Sequence, residues 1–136
     1  MRTIVLDNEA VQALASQSHP KHRRVAAHLE GATTRRRRGR PVELVVPTAV
    51  RVEAGWDRSQ PGSALLNRFR VRDHALDGST ADVAASIVAA TVTNVADAHI
   101  GAAVRSLTST DVVVLSSDPV DMARVCTPRP VRVVAI

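Results

Sequence analysis

Four acids stand where the carboxyl ends of parallel strands would gather them: Asp7, Glu53, Asp97 and Asp118. Asp7 ends the apolar run Thr3-Ile4-Val5-Leu6, and Asp118 closely follows the run Val112 to Leu115. Two carboxylates 4 Å apart repel by about 1 kcal/mol in water and about 4 kcal/mol at a protein-like dielectric. A fold that gathers several of them calls for a cation, and hard divalent ions take oxygen ligands best. No His/Cys spacing suited to zinc exists. Each acid alone also has a plainer reading. Asp7 or Asp118 can serve as a turn residue or helix cap, and Asp97 can simply favour a helix dipole. Glu53 is harder to explain that way. It lies four residues after Ala49 and three before Trp56, in the apolar stripe Ala49, Val52, Trp56, while Arg51 and Arg58 represent the exposed face. An unpaired carboxylate on a buried stripe is costly.

Such a rim needs strands to carry it. A continuous apolar run as short as Thr3–Leu6 reads as a strand buried on both faces, as in the centre of a parallel sheet. Glu43–Val46, Val112–Leu115 and Val131–Ile136 read likewise, with a shorter strand expected within Val71–Leu76. Helices are expected over Asn8–Leu14, over Lys21–Glu30 with Gly31 as its stop, from a Thr48 cap to Trp56, and over Ser63–Phe69. Further helices are expected over Thr80–Ala90 behind an Asp77-Gly78-Ser79 cap, over Val95–Leu107 opened by Asn94, and briefly after Pro119. Strands alternating with helices predict an α/β fold with three layers and a mostly parallel sheet. Asp97 then sits three residues before Ile100 and seven before Val104, in line with its helix's buried stripe.

The chain has 136 residues, 45% of them hydrophobic, which fits one domain spanning 1–136 with no internal repeat or linker. One Phe, one Trp and no Tyr nearly exclude base stacking on aromatic platforms. The net charge of +5 favours a polyanionic partner. Part of the arginine excess, with Lys21 the sole lysine, is discounted as the codon usage of a GC-rich genome. Cys126 is the lone cysteine, which suits a reducing cytoplasm. No apolar run is long enough for a membrane span. Asp7 and Glu9 occupy the place of a signal peptide's apolar region, so no secretion signal is expected.

Leu6-Asp7, Pro47-Thr48-Ala49-Val50-Arg51-Val52-Glu53, Val95-Ala96-Asp97-Ala98-His99-Ile100 and Ser116-Ser117-Asp118-Pro119 together resemble the acidic blocks of PIN-domain ribonucleases. The nearest resemblance is to the VapC-type toxins of bacterial toxin–antitoxin pairs, in block order and across nearly the whole chain. The resemblance implies a PIN-like α/β/α domain whose Asp7, Glu53, Asp97 and Asp118 hold Mg²⁺ or Mn²⁺. It also implies cleavage of single-stranded RNA regions, a homodimer, and inhibition by a small cognate antitoxin. Ser116 matches the hydroxyl that precedes the last acid. Asn8-Glu9 departs from the Thr or Ser that commonly follows the first Asp.

Other residues carry less. Glu9 and Asp121 are outer acids at best. Arg35 to Arg40 could meet RNA phosphates, though a charge run also reads as a solvated loop. His99 is expected at the surface; His19, His22, His28 and His74 show no ligand spacing, and Cys126 reads as structural. The competing class is a PIN-like module that binds RNA or protein without cutting. A phospho-acceptor receiver domain would need a lysine after a late strand, and only Lys21 exists.

Overall fold

The computed structural model describes residues 1–136, and its centre is the strand expected there. Strand β1 (Arg2–Leu6) is flanked by β2 (Val42–Pro47) and β4 (Asp111–Ser116), with β3 (Arg72–His74) and β5 (Arg132–Ala135) at the edges. All neighbours run parallel, in the order β3-β2-β1-β4-β5. Ile4, Val5 and Leu6 are buried, as a strand covered on both faces requires. The chain leaves β1 toward β2 on one side and returns to β4 on the other. The point where strand order reverses therefore lies between the ends of β1 and β4, where open parallel sheets bind ligands.

Seven helices complete the layers: α1 (Asn8–Ala15), α2 (His22–Arg37), α3 (Thr48–Ala54), α4 (Ala64–Asn67), α5 (Gly78–Ala90), α6 (Val95–Ser106) and α7 (Pro119–Cys126). Helix α1 packs on α2, α3 and the sheet, while α6 is wedged among α3, α5, α7 and β2. One apolar cluster of 35 buried residues joins both sides of the sheet, so the chain shares a single core. Val, Ala, Leu and Ile fill most of it, with Trp56 and Phe69 near its edge. No single helix is long and apolar enough to cross a membrane.

Several local expectations are corrected. Helix α2 runs through Gly31 to Arg37 instead of stopping at Glu30. The stop is Gly39, whose φ of 73° is the left-handed conformation that glycine adopts without strain. Arg35, Arg36 and Arg37 thus form a last helical turn, where cations suit the dipole. Pro47, not Thr48, is the residue before α3, and the Thr48 hydroxyl accepts from the Leu76 amide at 3.1 Å. Asp77 and Asn94 do cap α5 and α6, accepting from Thr80 and Asp97 amides. The segment expected as one helix over Ser63–Phe69 is a 3₁₀ turn, Pro61–Ser63, followed by the short α4.

Candidate acidic site

Asp7 is fixed by backbone on two sides. Its Oδ1 accepts from the Ala10 amide at 2.8 Å, capping α1, and its Oδ2 accepts from the Ser117 amide at 3.3 Å beyond β4. The plain and the functional readings of Asp7 therefore coexist: it caps a helix and bridges the strand-order reversal. Burial pushes its carboxyl above the ordinary value, opposed by the Ala10, Ser116 and Ser117 hydrogen bonds. Ser116, buried at the end of β4, links two acids. Its hydroxyl bonds to Asp7 and accepts the Asp118 amide at 3.0 Å. Asp118 is exposed and caps α7 by accepting from the Asp121 amide at 3.2 Å.

Asp97 faces the others from the first turn of α6, half-buried. Its pKa is raised to about 6, first by burial and then by the charges of Glu53, Asp7, Asp121 and Asp118. The charges that act on that carboxyl include all three partners expected from the sequence and Asp121 besides, in keeping with strand and helix ends that face one rim. None of the four is ion-paired with any of the 18 Lys and Arg side chains. Asp121 is paired with Arg124 at 3.3 Å. Glu9 pairs with His19 and Lys21, at 3.3 and 3.5 Å, and its charge also helps raise the Asp7 pKa.

The environment expected for Glu53 is corrected. Val50 is the buried residue of α3, whereas Val52 is 82% exposed and Glu53 is exposed too. With seven residues, α3 makes only two turns, so its buried face narrows to Val50 and the stripe drawn through Val52 turns outward. Glu53 escapes the desolvation cost argued from the sequence and reaches the rim from the solvent side. Asn8 anchors it there, donating to its Oε1 at 2.8 Å while accepting from Gln12. At the Asn8-Glu9 step, Asn8 thus restrains the Glu53 side chain. An apolar groove of about 570 Å³ opens beside Glu53, bordered by Val52, Leu76, Val95 and Ala96.

The expected surface position of His99 is also corrected. It is fully buried, because α6 is enclosed on nearly every side from Ala98 to Val104. Its Nδ1 accepts from the Ala49 amide at 3.3 Å, which leaves Nε2 as the donor toward His74 Nδ1 at 3.3 Å. His74 Nε2 in turn meets the Ser106 hydroxyl at 3.0 Å. Burial and the neighbouring His74 push the His99 pKa down to about 4. Sequence spacing from Asp97 hid this role, since it presumed that α6 had a free face. Cys126 is buried, its thiol pushed up to about 12 by burial, which agrees with a structural role.

The donor set of the rim, carboxylates and one hydroxyl, has the chemistry of a hard divalent cation site. Its side chains do not close into a coordination sphere, since no three His, Cys, Asp or Glu groups stand close enough to hold one ion. Each carboxylate is tethered by a local hydrogen bond instead, that of Asp97 from the Asn94 side-chain amide, and like charges favour that separation. No protein-family model, curated protein or solved structure matches the chain, which leaves the acidic rim itself as the ground for a functional assignment.

Proposed function

We propose that the chain is a PIN-like, divalent-metal-dependent endoribonuclease. The observation that carries this reading is the rim itself. Four unpaired carboxylates converge where the strand order reverses, in a chain of net charge +5 that places no cation against them. Asp7, Glu53, Asp97 and Asp118 would hold Mg²⁺ or Mn²⁺. When bound, such ions activate water and neutralise charge at a scissile phosphate. The chain's own part is positional. Backbone amides and Ser116 fix Asp7, Ser116 ties Asp118 to it, and Asn8 steers Glu53.

The wider proposal is the toxin of a toxin–antitoxin pair, acting in the cytoplasm as a homodimer on single-stranded RNA. The apolar groove beside Glu53 supports it, as a surface that a partner's amphipathic segment could cover. The test is cleavage of a structured RNA by purified protein, with Mg²⁺, with Mn²⁺, and with chelator. Cleavage that needs metal and disappears in Asp97→Asn is the expected result. Metal-independent cleavage, or an equally active variant, would overturn the assignment. Growth arrest on expression, relieved by Asp7→Ala, tests the toxin role.

A second reading is favoured by the open spacing of the acids. In that reading the domain binds RNA or protein without cutting. Retained RNA binding with no cleavage at any metal concentration would select it.

A further inference from the structure

A second cleft lies over the face of the sheet, between α2 and the strands β1, β4 and β5. It encloses about 430 Å³, within the range of small-molecule sites. Its floor is apolar: Ile4, Val113, Leu115 and Val134 come from three adjacent strands and lie on one face by strand alternation. Its polar walls are cationic, with Arg2, Arg35, Arg132 and His28 and no acid among the lining side chains.

The charges there are unbalanced. Asp111 stands near the three guanidiniums and pairs with two of them, Arg2 at 2.6 Å and Arg132 at 3.7 Å. Arg2 chiefly holds the Asp111 carboxyl below the usual range, and Arg132 and Arg35 add to it. Arg35 makes no ion pair, and its Nε is buried without a hydrogen-bond partner. A buried N–H of that kind is normally satisfied, so the unmet donor marks a place for an acceptor. Guanidinium forks suit phosphate oxygens particularly well.

From this pairing of guanidinium walls with an aliphatic floor, we propose that the cleft binds a nucleotide phosphate. The phosphate meets Arg35 and Arg132, and the base or sugar lies over Ile4 and Val134. Neighbouring residues of the arginine tract do other work. Arg36 bonds the Val42 carbonyl at 2.7 Å, tying the end of α2 to β2. None of the four rim acids lines the cleft, and Arg132 is level with Ile4, three residues and about 10 Å along an extended strand before Asp7. The proposal rests on these arginines and the aliphatic floor, and stands whether or not the rim cuts RNA.

The phosphate could be carried by a free mononucleotide or by the end of an RNA strand. Calorimetric titration in chelator, with adenosine 5′-monophosphate, inorganic phosphate and a 5′-phosphorylated trinucleotide, separates these. Saturable binding of the mononucleotide below about 1 mM is expected, tighter than inorganic phosphate. Arg35→Gln and Arg132→Gln should each weaken it tenfold or more, and Asp97→Asn should leave it unchanged. Arg132 is 57% exposed, so its variant keeps the fold and decides the matter even if Arg35→Gln does not fold. A trinucleotide that binds tighter than the mononucleotide assigns the cleft to RNA ends; equal or weaker binding assigns it to the free nucleotide. Binding that survives both substitutions, equal affinity for inorganic phosphate, or no saturation at all would overturn the proposal.

Discussion

Asn8 and Glu53 are separated by 45 residues, yet the Asn8 amide donates to Glu53 Oε1 at 2.8 Å. This bond joins the start of α1 to the end of α3 at the acidic rim. Glu53 is exposed and has no other hydrogen-bonded neighbour, so Asn8 alone restricts its rotamers. Asn8→Ala should lower the proposed metal-dependent RNA cleavage about fivefold, the equivalent of the ~1 kcal/mol of one such hydrogen bond. The melting temperature should hardly move, since both groups are exposed. Asn8→Asp should do more harm, by adding a like charge beside Glu53. Comparing kcat/KM of the two variants checks this; equal, unimpaired rates would mean that Glu53 needs no positioning.

Asp97 links the rim to stability. Its pKa is raised from 3.8 to about 6 in the folded chain, so the unfolded chain loses this proton first as pH rises. Between about pH 4 and 6 the folded state therefore holds more of the proton, and stability falls with rising pH. The carboxyl is half-buried, so solvent screening limits the effect to roughly 1 kcal/mol. Asp97→Asn should be stabilised by that amount at pH 7 and by almost nothing at pH 4. Urea unfolding at the two pH values measures it; an equal gain at both would detach the effect from ionisation.

The same repulsion predicts a response to metal. If the rim holds a divalent ion, Mg²⁺ at one hundred times its Kd adds about 2.7 kcal/mol to stability. For a chain of this size that raises the melting temperature by roughly 8 to 12 °C. Asp7→Asn and Asp97→Asn should abolish most of the rise. An equal rise in both variants would place metal binding elsewhere.

How much of this was legible in the sequence depended on the range of the force involved. Strand β1 shows itself because an apolar run ending on an acid has few other readings, and all five strands fall where expected. Convergence of the acids follows from parallel topology, which directs every strand's end to one rim. Glu53 was misread because periodicity cannot tell how wide a two-turn helix's buried face is. His99 was misread for the converse reason, since enclosure of α6 on nearly all sides is a property of packing. The Asn8–Glu53 bond and the Arg35 cleft join distant segments, and no local pattern encodes such pairs.

Gly101 is another residue whose role appears only in the packed structure. A Cβ added there would collide with the Val125 carbonyl and come within 2.9 Å of Ile87 Cδ1. The absent side chain lets α6 approach α7 and α5 closely. Because the first obstacle is backbone, it cannot yield by a rotamer change. Gly101→Ala should destabilise the chain by about 1 to 3 kcal/mol, despite alanine's better helix propensity. Thermal unfolding checks the sign; a stabilised variant would show that the helices can move apart freely.

The acid limb of the stability profile should be set by His99. Buried and paired through Nε2 with His74, it is neutral in the fold, its pKa lowered from 6.5 to about 4. The unfolded chain takes up this proton as pH falls through 6.5, and the folded chain takes it up only near 4. Stability from His99 is thus fully present above pH 6.5 and lost progressively down to pH 4, by at most about 3 kcal/mol. Asp97 acts in the opposite direction over an overlapping window, becoming less costly as pH falls. The wild-type profile should therefore slope less steeply than His99 alone dictates. Asp97→Asn should expose the full acid loss. His99→Gln should remove most of the acid loss, leaving the part from His74, whose pKa burial also lowers, set against the opposite effect of Asp97. Urea midpoints of the wild type and both variants across pH 4 to 7 measure the two slopes. An acid loss in His99→Gln as large as in the wild type would assign it to other groups.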